Sequence, residues 1–97
     1  MNVRSMIGFS AVTLIVAGCA LPPEGTSPGD VTRFEAAAAT VGCQMRTEAD
    51  YLPVELQTGL TRTQTTQMAA YMVASNRAVR LATGGIRLTS GPCQTGA

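Results

Sequence analysis

The chain has 97 residues, with seven arginines against six acidic residues and a formal net charge of +1 at pH 7. It lacks histidine and tryptophan, and aromatic residues make up 4% of it. This composition argues against histidine-based metal binding or acid–base catalysis, against aromatic platforms that stack on sugars or bases, and against charge-driven binding to polyanions. We therefore expect one small domain that is not an enzyme and that carries no cofactor and no metal.

The first eighteen residues have the organisation of a secretory signal peptide. Arg4 places a positive charge near the start, and the uncharged stretch 6–18 follows it. This stretch is shorter than the roughly 20 residues that a membrane-spanning helix needs. Its length, and the charge on its N-terminal side, are typical of the apolar region of a signal peptide. We therefore expect residues 1–18 to be removed on export.

The tetrapeptide Val16-Ala17-Gly18-Cys19 closes the apolar stretch. An aliphatic residue, two small residues and a cysteine in this position resemble the lipobox of bacterial lipoproteins. The resemblance implies that the Cys19 thiol carries a diacylglycerol and that this lipid anchors the mature chain to a membrane. Because Ala20 rather than aspartate follows the cysteine, it also favours the outer membrane, facing the periplasm. The alternative is an ordinary signal peptide followed by an incidental cysteine.

Residues 19–31 are predicted to be the lipidated cysteine and a linker. Three prolines and two glycines lie between Ala20 and Gly29, which disfavours both helix and central strand. An extended, proline-rich chain of this length would hold the folded part about 20–30 Å from the bilayer. We expect the domain itself to span residues 32–97.

Cys43 and Cys93 remain as a pair once Cys19 is assigned to lipid. An exported chain meets an oxidising compartment, and an even number of remaining cysteines favours a disulfide. Two free thiols or a redox pair are the alternatives. The sequence has no Cys-x-x-Cys motif, and two cysteines without histidine make a poor zinc site.

The domain is expected to begin with two helices. Thr32-Arg33-Phe34-Glu35 fits a capping box and predicts a first helix over about 33–42. For the second helix we expect Asp50 as the cap and Pro53 in the first turn, over about 51–58. The residues of this helix expected to face inward are Tyr51, Val54 and either Leu52 or Leu56.

A third helix and a hairpin are expected to follow. Thr61-Arg62-Thr63-Gln64 is another capping box and predicts a helix to about Ser75, with a methionine stripe more typical of core than of a cofactor site. Gly84-Gly85 between the alternating runs 78–83 and 86–89 predicts a hairpin with a two-residue turn. In that hairpin one face would hold Val79, Leu81, Ile86 and Leu88, and the other face would hold Arg80 and Arg87.

This order of elements resembles the winged helix-turn-helix domains. Their second helix and turn are similar to residues 54–61. Their recognition helix corresponds to residues 62–75, and their wing corresponds to residues 79–89. The resemblance implies a mostly α fold with a small β-hairpin: three short helices followed by a two-stranded antiparallel wing. We expect one disulfide to staple this winged-helix-like fold.

Winged helix-turn-helix domains that read DNA need a basic surface. In this chain the polar positions of the helix at 62–75 hold Arg62 among threonines and glutamines. We therefore expect no nucleic acid and no small-molecule substrate, but a non-catalytic adaptor or accessory module that binds another envelope protein. Its contact surface would comprise Arg62, Thr63, Thr66, Arg80 and Arg87. The alternatives are a structural envelope lipoprotein without a specific partner, or a winged-helix DNA-binding regulator whose signal peptide is misassigned.

The lipobox predicts that Cys19 is the acylated residue. Cells fed an alkyne-bearing fatty acid should label the wild-type chain and the Cys43→Ala variant but not the Cys19→Ala variant, measured by in-gel fluorescence after click coupling. Label that persists on Cys19→Ala would contradict the prediction.

Overall fold

The computed structural model describes residues 21–94; the predicted signal peptide, the lipobox-like tetrapeptide and Cys19 lie outside the described residues. Within this part of the chain no helix is long and apolar enough to cross a membrane. Three helices and a small antiparallel sheet make up the fold. In chain order the elements are α1 (Pro28–Ala39), β1 (Gln44–Met45), α2 (Glu48–Thr58), α3 (Arg62–Ala74), β2 (Ala78–Arg80), β3 (Ile86–Leu88) and a final 3₁₀ turn (Gly91–Cys93). The predicted fold class, mostly helical with a small β wing and one disulfide, is confirmed.

Helix α1 begins earlier than predicted, at Pro28 rather than near residue 33. The Ser27 backbone N–H donates to the Asp30 carboxylate at 2.9 Å, and Pro28 occupies the first helical position, where no N–H is needed. This cap, with an acidic residue in the first turn, prevails over the Thr32 capping box. Residues 28–31, which the sequence assigned to the linker, thus form the first turn of α1.

Helix α2 also begins earlier, because Thr47 rather than Asp50 is its cap. The Asp50 carboxylate accepts hydrogen bonds from the backbone N–H groups of Arg46 and Thr47 at 2.9 and 3.2 Å. Asp50 therefore lies in the first turn of the helix and stabilises that turn from within it. Pro53 consequently lies inside the helix, where it removes one backbone hydrogen bond. The helix ends at Gly59, whose φ of 76° suits glycine.

Helix α3 follows its prediction closely. Thr61 Oγ1 accepts the Gln64 N–H at 3.0 Å, and the Gln64 side chain accepts the Thr61 N–H at 3.1 Å. The helix ends at Ala74, one residue from the predicted end. Its methionines lie in the core, as predicted. The fully buried side chains of the molecule include Phe34, Met45, Val54, Met68, Met72 and Leu88.

The sheet contains a strand that the sequence did not indicate. β1 is two residues long and pairs with β3, so the strand order is β1-β3-β2. A two-residue strand is too short to show the alternation by which strands are recognised in a sequence. Its position places Cys43, just before β1, beside Leu88 of β3, whose N–H donates to the Cys43 carbonyl at 2.8 Å.

The hairpin has a different register from the predicted one. Arg80 pairs with Ile86 and Ala78 with Leu88, so the connection spans residues 81–85 instead of Gly84-Gly85 alone. Relative to the predicted pairing, β2 is shifted along β3 by an odd number of residues. Such a shift moves the side chains of one strand to the opposite face of the hairpin relative to its partner. Val79, 42% exposed, therefore lies opposite Arg87 on the outer face. The prediction that Arg80 and Arg87 share a face is wrong.

The disulfide joins Cys43 to Cys93, which are 50 residues apart and both buried. This confirms the predicted pairing. A loop of this length closed in the unfolded chain corresponds to about 4 kcal/mol of stabilisation in the chain-entropy model.

Gly84 and Gly85 offer a matched test of the hairpin connection. Both have positive φ, 106° and 85°, but a Cβ at Gly84 would meet nothing within 4 Å, whereas a Cβ at Gly85 would overlap the Met45 carbonyl oxygen of β1. Gly84→Ala should lower the free energy of unfolding by about 1–2 kcal/mol through backbone strain alone. Gly85→Ala should lower it by about 1–3 kcal/mol more, because β1 must move. Urea unfolding of the oxidised protein measures both, and equal losses would contradict this packing.

Candidate functional site

Arg62 lies in a cluster of α2 side chains. Its Nη1 and Nη2 donate to the two carboxylate oxygens of Glu48 at 2.8 and 2.7 Å, and its Nε donates to Glu55. The guanidinium carbon lies 5.6 Å from the centroid of the Tyr51 ring. A bidentate pair of this kind fixes the geometry of both partners. Arg62, 45% exposed, therefore holds α3 against α2.

The ionisation of this cluster follows from its contacts. The hydrogen bonds from Arg62 lower the pKa of Glu48 below its ordinary value. The carboxylates of Glu48 and Glu55 raise the pKa of Arg62 above its ordinary value. Burial raises the pKa of Tyr51. Glu48 and Glu55 thus both pair with Arg62, and the positive charge at the start of α3 is balanced within the protein.

The structure separates the residues of the predicted contact surface. Thr63 and Thr66 are exposed on the first turns of α3 beside Arg62, and the Thr66 hydroxyl donates to the Arg62 carbonyl at 2.9 Å. Arg80 is exposed at the end of β2, whereas Arg87 is partly buried in the middle of β3 on the opposite face. The five residues therefore do not form one continuous surface.

Leu52 and Leu56 form an exposed apolar pair that the sequence analysis assigned differently. They are 47% and 77% exposed and lie four residues apart on α2, so they occupy one side of the helix. The expectation that one of them faces inward is wrong, whereas Val54 is buried and Tyr51 is partly buried, as expected. The i, i+4 spacing of Leu52 and Leu56 in the sequence indicates that they share one face of the helix. Spacing alone does not show whether that face packs against the core or is exposed to solvent.

No cluster of metal-ligating side chains is found among the described residues. Residues 21–94 contain no group of three or more histidine, cysteine, aspartate or glutamate side chains that could hold a metal ion. Comparison of the chain with protein-family models, with curated proteins and with solved structures finds no match.

The Arg62 cluster predicts the titration of Glu48. In the wild type the Glu48 carboxyl should titrate below its ordinary range, and Arg62→Gln should raise its pKa because the hydrogen bonds that favour the carboxylate are removed. A lowered pKa contributes stability above the unfolded-state pKa, and this contribution is lost as the pH falls through the folded-state pKa.

Carboxyl ¹³C shifts followed by NMR against pH measure this change. Asp30 is the internal control, since its pKa is lowered by the Ser27 backbone and by Arg33 and should not respond to Arg62→Gln. An unchanged Glu48 titration in that variant would contradict the cluster.

Proposed function

We propose that this chain is a lipid-anchored protein of the bacterial cell envelope whose domain binds another protein through the exposed side of α2. The observation that carries the proposal is the pair Leu52 and Leu56. Burying one leucine side chain contributes about 1.5–3 kcal/mol, so leaving two adjacent ones in water forgoes a large share of the stability of a small domain. Leucines on successive turns of a helix are the usual anchors of helix-in-groove recognition.

The chain between Cys19 and the domain supports a partner at the membrane surface. Pro23 is buried, and the Glu24 carbonyl accepts the Gln64 side-chain amide at 3.3 Å. The Thr26 N–H donates to the Pro23 carbonyl at 3.2 Å. The described part of the linker is thus packed on the domain.

The five residues from Cys19 to Pro23 make four Cα–Cα steps and reach at most about 14 Å when fully extended. This reach is shorter than the 20–30 Å spacing expected from the sequence. A domain on such a tether stays at the bilayer, so we infer that its partner is a protein of the same membrane or one attached to it.

The Arg62 cluster favours a protein over DNA as the partner. Arg62 is the one charged residue of α3, and its donors are directed at Glu48 and Glu55. A recognition helix without an available cation lacks the phosphate contacts that dominate affinity for DNA.

Site-specific photocrosslinking in intact cells tests the proposal. A benzophenone amino acid at Leu56 should give one discrete adduct, while the same probe at Thr63 should give none, and the Leu56 adduct should weaken when Cys19→Ala removes the anchor. The Leu52→Ser variant should also weaken it while changing the free energy of unfolding by no more than about 0.5 kcal/mol, since the side chain is exposed.

The other outcomes are equally informative. An adduct at Thr63 but not at Leu56 would move the contact to the polar surface of α3 and overturn the α2 interface. No adduct at either position would favour a structural lipoprotein without a specific partner.

A further inference from the structure

A pocket of about 420 Å³ lies between the segment before α1, α1 itself and the C-terminal end of α3. Small-molecule sites commonly measure about 300–1,000 Å³. Pro22, Pro28 and Val31 give this pocket an apolar wall, while Glu35 and Arg77 bring opposite charges to it and Tyr71 lies beside Arg77. Neither the anchor nor the exposed side of α2 explains two charged groups in one pocket.

Arg77 is held firmly but is only partly paired. Its backbone N–H donates to the Met72 carbonyl at 2.7 Å, and its carbonyl accepts the Thr89 N–H at 2.9 Å. Its Nη1 donates to the Tyr71 hydroxyl at 3.1 Å and to Ser75 Oγ at 3.3 Å. Within residues 21–94 its Nε and Nη2 donate to no protein oxygen, and no acidic side chain pairs with it.

Comparison with Arg62 shows what Arg77 lacks. Both guanidinium carbons lie 5.6 Å from the centroid of a tyrosine ring. Around Arg62 two carboxylates take up the remaining donors, whereas around Arg77 the described residues supply only the two neutral hydroxyls. The parallel Nε and Nη2 donors of a guanidinium match the two oxygens of a carboxylate, so Arg77 presents an open carboxylate-binding fork.

Glu35 also lines the pocket and has fixed contacts of its own. Its Oε2 accepts the Ser90 hydroxyl at 2.6 Å, and Gly91 packs so closely that a Cβ there would lie 2.9 Å from Oε1. Glu35 makes no ion pair with Arg77, although both line the same pocket. Each charge is thus held by neutral neighbours of its own and kept apart from the other.

We propose that this pocket binds a small zwitterion, a ligand that carries a carboxylate and an ammonium group. The carboxylate binds the Nε and Nη2 donors of Arg77, the ammonium binds Glu35, and the carbon chain between them packs against Pro28 and Val31. A ligand with one charge would leave the other wall without a partner, so the two charges together determine selectivity. A free amino acid and a short peptide share this chemistry, and they differ in the distance between their charges.

Calorimetric titration of the full chain in a neutral, uncharged detergent tests the proposal. The probes are glycine and triglycine, which are zwitterions of different length, with N-acetylglycine and glycinamide as their singly charged counterparts. At least one zwitterion should bind about tenfold or more tightly than both counterparts, as expected for a charged hydrogen bond gained. Tighter glycine binding indicates a free amino acid, and tighter triglycine binding indicates a short peptide.

Three variants assign the contacts. Glu35→Gln can still accept the Ser90 hydroxyl but loses the charge, so the preference for the zwitterion over N-acetylglycine should disappear. Arg77→Gln should abolish the preference over glycinamide. Arg80→Gln removes one positive charge outside the pocket and should bind as the wild type does. The proposal is overturned if neither zwitterion binds at about 10 mM, well beyond the weak end of ordinary affinities. It is also overturned if a singly charged probe binds as tightly as the better zwitterion. A third contrary result is that Glu35→Gln and Arg77→Gln bind the probes as Arg80→Gln does while their amide NMR spectra show an intact fold.

Discussion

The bond between Cys43 and Cys93 is the constraint on which the arrangement of the sheet and of α1 depends. It ties the start of β1 to the 3₁₀ turn that follows β3, beside the hydrogen bond from the Leu88 N–H to the Cys43 carbonyl. The same turn sets Ser90 against Glu35 of α1. The core is poor in aromatic residues, and α1 approaches closely because Ala37 and Ala38 are its buried side chains next to Phe34. With so little apolar volume, about 4 kcal/mol from one cross-link is a large part of the 5–15 kcal/mol typical of a folded domain.

The arginines of this chain serve different physical purposes although they are the same residue. Arg62 is a structural cation, because Glu48 and Glu55 surround it and join α3 to α2. Arg33 pairs with Asp30 in the first turns of α1. Arg77 has hydroxyl neighbours only, among the described residues. A count of charges in the sequence treats these arginines as equivalent, and the difference between a neutralised and an available guanidinium appears only when the neighbouring elements are in place.

The sequence predicts those features that local chemistry determines. Short motifs and a count of cysteines are enough to predict the Thr61 cap, the end of α2 at Gly59, the methionine core and the pairing of the two cysteines.

The prediction that Thr32 caps the first helix is wrong, because Ser27, Pro28 and Asp30 form a better helix start a few residues earlier. The predicted hairpin register is wrong: Gly85 packs against β1, and a strand this short cannot be recognised in the sequence. Of the predicted contact surface, Arg62, Thr63 and Thr66 lie together on α3 and their contact role stays a prediction, whereas the exposure of Leu56 depends on which side of α2 the other helices cover. Lipidation of Cys19 stays a prediction from its motif.

The position of the disulfide in the chain also determines how the domain responds to mechanical load. The closed loop contains α2, α3 and the sheet, while α1 and the segment before it lie outside. Force applied between the N-terminal end and the residues that follow Cys93 therefore acts first on the packed segment and then on α1, and it cannot extend the chain between Cys43 and Cys93. Once released, the 21 residues from Pro23 to Cys43 span at most roughly 70 Å. Beyond that length the covalent bond carries the load, so α1 is an extensible section that ends at a rigid stop.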